Sequence, residues 1–412
     1  MKFFHLSDLH IGLKLMNRDL REDQEYILRQ ITELAAREQP DAVVIAGDIY
    51  DKAVPSAEAV EVFDRFIGDL TAAVPDAVIM MISGNHDSAS RVNCFRSVLS
   101  RQKLYMVGQP PRSKEEYLEK VVCTDEYGRV NFYLLPFVKP SMIKEVVGTK
   151  EDGTLYSYNE SVHRLIEREK LALDERNVLV SHQFYLPRGA SAGSIERMDS
   201  EIVTVGNIDA VSADILERFD YAALGHIHKP MKVGDERFRY CGTPLACSVS
   251  EAGQAKGILM VELGEKEETV GRKETTGTEK TARSEETAEV KENTDAGEVR
   301  ITVLPLTPLR QIRVIKGTLE EVLKQSCGDY VTVILTDKSD LEVIDMQERL
   351  RLAFPLLLEI RREHVRTANY DAESTVEEDM DPFELCCAFL KDPDEQEREL
   401  LLEVIRAVQE AG

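Results

Sequence analysis

Lys2-Phe3-Phe4-His5-Leu6-Ser7-Asp8-Leu9-His10-Ile11-Gly12 decides how the rest of the chain is read. A short, mainly apolar run from Lys2 to Leu6 has the length of a buried strand, and it stops at an acid and an imidazole separated by one residue. The pattern repeats. Ala42–Ala46 ends at Gly47-Asp48, Val78–Ile82 at Gly84-Asn85-His86-Asp87, Val178–Val180 at Ser181-His182, and Tyr221–Leu224 at Gly225-His226-Ile227-His228, while Asn131–Leu135 is a further strand candidate. Between these runs, Leu20–Arg37 places Tyr26, Ile27, Ile31, Leu34 and Ala35 on one helical face, and Ser56–Leu70 does the same with Val60, Phe63, Ile67 and Leu70. Apolar runs alternating with amphipathic helices predict an α/β sandwich built from βαβ units.

Open α/β sheets gather ligands at the carboxyl ends of their strands, where every one of these clusters lies. In an extended segment Asp8 and His10 would face the same crevice, as would His226 and His228. Gly47, Gly84 and Gly225 are expected to permit tight turns at the points where the strands deliver their ligands. Imidazole, carboxylate and carboxamide donors without a thiolate suit Mn²⁺, Fe²⁺ or Zn²⁺, and there are enough of them for two ions with Asp48 as the bridge. Two ions about 3.5–4 Å apart acidify a water and neutralise charge in phosphoester hydrolysis. Singly, each motif has a plain origin: Asp-X-His recurs by chance, Gly-Asp reads as a turn, and Gly-His-X-His fits a strand edge. Five in this order, each closing an apolar strand, do not. His5, His163 and His364 lack any partner pattern and read as packing or surface residues.

The ordered set Asp8-X-His10, Gly47-Asp48, Gly84-Asn85-His86-Asp87, Ser181-His182 and Gly225-His226-X-His228 resembles the calcineurin-like metallophosphoesterase superfamily. More narrowly, residues 4–12, Ala46-Gly47-Asp48-Ile49-Tyr50-Asp51, Tyr240-Cys241-Gly242-Thr243-Pro244 and Pro305-Leu306-Thr307-Pro308-Leu309-Arg310 resemble the SbcD family of nuclease subunits. That resemblance implies Asp8, His10, Asp48 and His228 on one metal ion and Asp48, Asn85, His182 and His226 on the other, with Mn²⁺ as the ion. It also implies that His86 orients the scissile phosphate and protonates the leaving oxygen, and that Asp87 fixes the His86 imidazole. The activity expected is DNA exonuclease and endonuclease cleavage in repair and recombination, by a homodimer within a heterotetramer with an SbcC-type SMC-like ATPase. The nearest rival is a superfamily member acting on a small nucleotide or a phosphoprotein. A scaffold that has lost catalysis would lack ligands, and here every position is filled.

The 412 residues exceed one ordinary core. The partition expected is a metallophosphoesterase domain over 1–263, a disordered acidic insertion in a hairpin over 264–298, a small α/β capping domain over 299–366, a tether over 367–379, and a partner-binding helical hairpin over 380–412. Residues 264–298 contain no aromatic residue and no leucine, too little apolar surface to offset ordering. Gly257–Leu263 and Val299–Leu304 read as the two strands of that hairpin, and Gln311–Ile315, Tyr330–Leu335, a helix over Leu341–Leu352 and Leu356–Arg361 as the second unit. In 380–412, Leu401, Ile405 and Val408 form an apolar stripe suited to a helical partner.

The net charge of −24 argues against a general polyanion binder. Much of it lies away from the ligands: 264–298 carries 6 basic and 11 acidic side chains and 366–412 carries 4 and 14, whereas 299–365 is balanced at 10 of each. DNA binding by this subunit alone is therefore expected to be weak. Seven scattered cysteines show no zinc-ligand spacing and read as reduced, mostly buried thiols. No apolar run approaches the ~20 residues of a membrane span, and the first residues lack a signal-peptide core, so a cytoplasmic chain is expected.

Overall fold

Phe3 and Phe4 leave one strand on opposite sides, and each is buried in a different core. That alternation, repeated along neighbouring strands, sets the layering. In chain order the first unit of the computed structural model comprises β1 (Lys2–Leu6), α1 (Arg21–Glu38), β2 (Ala42–Ala46), α2 (Ala57–Ala73), β3 (Val78–Ile82), β4 (Leu104–Val107), β5 (Glu119–Asp125), β6 (Gly128–Leu135), α3 (Pro140–Val147), α4 (Tyr158–Glu167), β7 (Arg176–His182), β8 (Tyr221–Gly225), β9 (Met231–Val233), β10 (Asp235–Tyr240), β11 (Lys256–Leu263) and β12 (Val299–Leu306). The residues described are 1–187, 189–190, 201, 209–266, 299–337 and 343–363, with 383, 387, 398 and 400–402 besides. The expectations for the tether at 367–379, for nearly all of 264–298 and for most of 380–412 lie outside them.

Two six-stranded sheets, in the orders β12-β11-β1-β2-β3-β4 and β9-β10-β8-β7-β6-β5, pack face to face through Phe3, Val44, Met80 and Ile82 from one and Phe132, Leu134, Val178 and Tyr221 from the other. Helices α1 and α2 cover the outer face of the first sheet through Ile27, Ile31, Phe66 and Leu70; α3 and α4 cover the second through Ile143, Val162 and Leu165. The result is the metallophosphoesterase α/β sandwich. Each fully buried Leu or Phe contributes about 1.5–3 kcal/mol by burial. Within the sandwich β1, β2 and β3 are parallel, as are β6, β7 and β8, so their carboxyl ends open at one rim.

The hairpin expected around 264–298 is present. β11 and β12 pair antiparallel from Lys256↔Leu306 to Leu263↔Val299, which sets the two ends of the intervening segment side by side. β12 therefore belongs to the first sheet, and the second unit starts after Leu306, not at residue 299. Replacing 267–298 with a short Gly-containing turn is expected to leave activity unchanged and to stabilise slightly, by about 0.6 kcal/mol for each halving of loop length. Loss of cleavage or misfolding of the shortened chain, followed by thermal melts and assay, would contradict this.

The second unit comprises β13 (Ile312–Gly317), α5 (Leu319–Leu323), β14 (Tyr330–Leu335), α6 (Val343–Ala353) and β15 (Leu357–Arg362), its three strands parallel in the order β13-β14-β15. Its own core is built from Ile315, Val322, Val331, Val333, Leu350 and Phe354. Ile312 and Tyr330 pack instead into the core of the first unit. Beside them the buried Asp23 carboxylate of α1 accepts from the Tyr330 hydroxyl at 2.8 Å and from Arg310 Nη1 at 2.7 Å, so a polar clasp and an apolar seam fix the two units together.

Candidate metal centre

The five clusters converge at the rim where the parallel strands end. Beyond β1 the chain runs alongside the segment following β2, with Asp8 N donating to Gly47 O, His10 N to Asp48 O and Ile11 N to Ile49 O, each at 3.0 Å. Asp8 (φ 54°), His10 (φ 42°), Asp48 (φ 48°) and His226 (φ 102°) all have positive φ. The extended geometry expected for Asp8-X-His10 is therefore replaced by left-handed turns, which L side chains adopt at a cost met by surrounding contacts. Of the three glycines, only Gly47 (φ +90°) is required by its backbone angle. Gly84 and Gly225 serve close approach: a methyl on Gly84 would overlap the Asp48 carboxylate and amide, and one on Gly225 would overlap the Ala46 carbonyl.

Donor atoms face one another across short gaps. The Asn85 Oδ1 lies 3.0 Å from His182 Nε2 and 2.8 Å from His226 Nδ1. Asp48 Oδ2 lies 3.3 Å from His182 Nε2 and 3.7 Å from His10 Nε2, and its Oδ1 accepts from His86 N at 2.8 Å. Asp8 accepts from the Ser7 hydroxyl and, at 3.0 Å, from His226 N. His10 Nε2 and His228 Nε2 stand 3.1 Å apart. Asp8, Asp48 and His182 each offer a ligand atom within 4.8 Å of the others, and so do His10, Asp48 and His86. All seven residues expected as ligands are thus brought to one cluster, with Asp48 shared between its halves.

Hydrogen bonding behind the rings selects their tautomers. His182 Nδ1 faces the Ala46 carbonyl at 2.7 Å, which can only accept, so Nδ1 carries a proton and Nε2 is the atom directed at Asp48 and Asn85, a lone-pair donor once a cation has displaced its proton. His228 Nδ1 likewise faces the Glu251 carboxylate at 3.4 Å, leaving Nε2 directed at His10. Among the described residues, buried His10 Nδ1 has no hydrogen-bond partner. Lone pairs converging with carboxylate and carboxamide oxygens in a buried space match the donor set of divalent cations, so the residues fit a metal pair.

The electrostatics agree. Burial alone would raise the Asp48 pKa, yet the His182 imidazole, with His10 and His86 near it, holds that carboxyl well below the usual range. Burial would lower His182, but Asp48 and Asp8 outweigh it and carry the ring to about 9, whereas burial pushes His10 down to about 3. In the metal-free protein the stability contributed by the His182 imidazolium is full below about pH 6.5 and is lost as pH rises toward about 9. Cation binding must displace that proton.

Two expectations change at His86. Its Nδ1 faces the Asp51 carbonyl at 2.9 Å, so Asp51, and not Asp87, orients the ring. Asp87 is occupied elsewhere: its carboxylate accepts from Ile49 N, Tyr50 N and Gly84 N at 3.1, 3.0 and 2.9 Å, tying together the turns after β2 and β3. His86 lines a cleft of about 290 Å³ with His10, His228, Asp51, Lys14, Cys247 and, from β15, Arg361. Of the histidines read as structural, His5 is buried against the Tyr221 hydroxyl (3.0 Å) and the Leu224 carbonyl (3.2 Å), and burial lowers it to about 3.

Sequence reading missed the groups behind His228. Glu201 accepts from His228 N at 2.9 Å, and Glu251 holds the ring while accepting from the Thr243 hydroxyl (2.9 Å) and Lys256 Nζ (2.6 Å). Neither has a spacing relation to the ligand motif; Glu251 ends the short 3₁₀ turn Val249–Glu251, and a lone Glu between Ser and Ala was its only signal. Glu251→Gln leaves Lys256 buried without a counter-charge and is expected to cost about 3–5 kcal/mol. Manganese affinity should fall roughly 10–100-fold alongside. Calorimetric titration and chemical denaturation check the two effects, and unchanged values for both would remove Glu251 from the site.

A family model described as calcineurin-like phosphoesterase matches residues 1–230, and the SbcD_C model, described as Type 5 capsule protein repressor C-terminal domain, matches residues 308–393. Among solved structures the chain is similar to a phosphopantetheinyl hydrolase from Mycobacterium tuberculosis, with 16% identity over 59% of this chain and 90% of that chain and a TM-score of 0.34. It is also similar to GAP50, the anchor in the inner membrane complex of Plasmodium, with 13% identity over 64% and 81% and a TM-score of 0.36. Among the described residues no helix is long and apolar enough to cross a membrane.

Proposed function

The chain belongs to the calcineurin-like phosphoesterases, and we propose that within this family of hydrolases it is a two-metal DNA nuclease that works beside an SMC-like ATPase. The observation that carries the reading is the placement of a second α/β unit against the metal centre, so that Arg361 of β15 shares a cleft with His10, His86 and His228. A phosphodiester presented by a large polyanion needs such a lateral cationic wall; a small free phosphoester does not.

One ion would be held by Asp8, His10, Asp48 and His228 and the other by Asp48, Asn85, His182 and His226, together supplying charge neutralisation and a water acidic enough to attack phosphorus, with manganese the expected metal. The chain's own residues then do the following. His86, with Nδ1 donating to the Asp51 carbonyl, presents Nε2 to the cleft; in its imidazolium form Nε2–H donates to a phosphoryl oxygen and passes its proton to the leaving oxygen, leaving the neutral ring protonated on Nδ1. Asp87 keeps the two turns that carry Asp48 and His86 in register. Lys14 and Arg361 line the cleft and meet flanking phosphates of the strand.

The overall charge of −24 keeps intrinsic DNA affinity low, which suits a subunit delivered to its substrate by a partner. The match over 308–393 supports that context, and Leu401, Ile405 and Val408, spaced in the sequence for one helical face, would contact the partner in this reading. A dimer of this chain within the larger assembly is part of the same proposal.

Arg361→Glu is expected to weaken cleavage of duplex DNA through KM and to reduce the slope of log affinity against log salt by about 1, while hydrolysis of a small phosphodiester is retained. If both substrates lost activity equally, or neither did, the second unit would have no part in polyanion binding and a small-nucleotide or phosphoprotein substrate would be favoured.

A further inference from the structure

Cys247 stands in the loop between β10 and β11, buried against the metal centre. Its position is set by the acid that sets His228: Glu251 Oε1 accepts from Cys247 N at 3.2 Å and faces His228 Nδ1 at 3.4 Å. One donor atom from each of His10, His228 and Cys247 lies within 4.8 Å of the other two, and the three side chains line the same cleft. A thiol that only packs would turn to an apolar neighbourhood. The hydrogen bond this one makes is a weak contact with the Leu245 carbonyl at 3.4 Å, readily given up for a metal. Zinc sits about 2.0–2.1 Å from an imidazole nitrogen and about 2.3 Å from a thiolate, which in a tetrahedral shell sets such donors roughly 3.5 Å apart, so from the 4.8 Å bound the three side chains have little more than roughly 1 Å to close on a shared ion.

We propose that Cys247 is a thiolate ligand to the metal position of His10 and His228, a soft donor that raises the affinity of this half for Zn²⁺ or Co²⁺ relative to the half with only nitrogen and oxygen donors, while Mn²⁺ still binds. The inference rests on the two-metal reading above. On coordination the Sγ–H bond breaks, its proton passes to solvent, and a sulfur lone pair forms the metal bond, with no oxidant or reductant required. The centre thereby becomes asymmetric: the half built on Asn85, His182 and His226 has only nitrogen and oxygen donors around Asp48.

The test uses the full-length chain stripped of metal with a chelator and titrated with Co²⁺. A sulfur-to-cobalt charge-transfer band in the near ultraviolet is expected in the unsubstituted protein and should vanish in Cys247→Ser, with visible cobalt bands remaining in both. Competition titration should show the preference for zinc over manganese falling roughly 10–100-fold in the variant. Visible bands without the charge-transfer band in the unsubstituted protein would overturn the assignment. So would a band that survives Cys247→Ser, which would point to Cys241, whose sulfur lies 3.0 Å from Ser7 Oγ. Should Cys247→Ser fail to fold by thermal melt, Cys247→Ala takes its place under the same criteria. Absence of any bound cobalt by elemental analysis would instead sink the two-metal reading itself.

Discussion

Asp48→Ala is expected to strip the protein of both metal ions and of all measurable activity, while His86→Ala loses activity with the metals still in place. Asp48 lies between the halves of the cluster, 3.3 Å from His182 Nε2 and 3.7 Å from His10 Nε2, and without it each half is left with one anionic ligand or none. Losing a bridging carboxylate removes several kcal/mol of charge stabilisation, a rate loss of about 10³-fold or more. His86 joins the same cluster through its backbone amide, which survives truncation, and its ring acts as a proton donor worth about 10²–10⁴-fold. His86 also offers a ring nitrogen within 4.8 Å of donors from His10 and Asp48, so the distinction is worth measuring. Elemental analysis of both purified variants decides it: a metal-depleted His86→Ala protein would make His86 a ligand, and a fully loaded Asp48→Ala protein would end the bridging role.

Gly225→Ala should be among the most damaging methyl additions at the described glycines. The added carbon would overlap the Ala46 carbonyl at the end of β2 and stand 2.8 Å from His182 Nδ1 and 2.9 Å from Ser7 Cβ. The Ala46 carbonyl is the acceptor that fixes the His182 tautomer, so the two sheets would have to part at the point where the metal ligands are oriented. We expect a loss of about 3–5 kcal/mol in denaturant unfolding, together with weakened manganese binding. Gly68→Ala in α2 is the matched control, since nothing lies within 4 Å of its new methyl. That change should stabilise by about 0.5–1 kcal/mol. Equal stability of the two variants would show that the sheets tolerate separation.

Strands buried on both faces were the most legible part of the fold. β1, β2, β3 and β14 end where mainly apolar runs give way to glycine or polar residues, and the polar side chains within them, His5 of β1 and Thr332 of β14, are themselves buried. β7 extends past its apolar middle, Val178–Val180, to Arg176 and His182. Its polar ends are buried with partners that only the tertiary structure supplies: Arg176 is paired with Asp125, and Asn177 donates to the Ala172 carbonyl at 2.8 Å. β4, β5, β9 and β10 were not read at all; β4, β5 and β9 lie at or next to sheet edges, and β5 alternates buried and exposed side chains in a run no longer than many loops.

The gathering of the seven expected ligands into one cluster was legible because each lies at or shortly beyond the carboxyl end of a strand, whereas the groups that bond to them from behind were not. Asp51 holds His86, and Glu201 and Glu251 hold His228, from positions whose arrival depends on the packing of both sheets, and the same is true of Cys247. The same reason explains the error at Asp87: adjacency to His86 in sequence suggested a contact with its ring, but the turn directs that carboxylate back to three backbone amides.

Incubating the full-length chain with manganese and linear duplex DNA, in parallel with small phosphomonoesters and cyclic nucleotides, tests the central claim most directly. The expected result is manganese-dependent release of nucleotides from DNA that chelator abolishes and that His86→Ala lacks while still holding metal. Hydrolysis of the small phosphoesters by a fully metallated protein that leaves DNA intact, alone and with the SMC-like ATPase proposed as its partner, would contradict it.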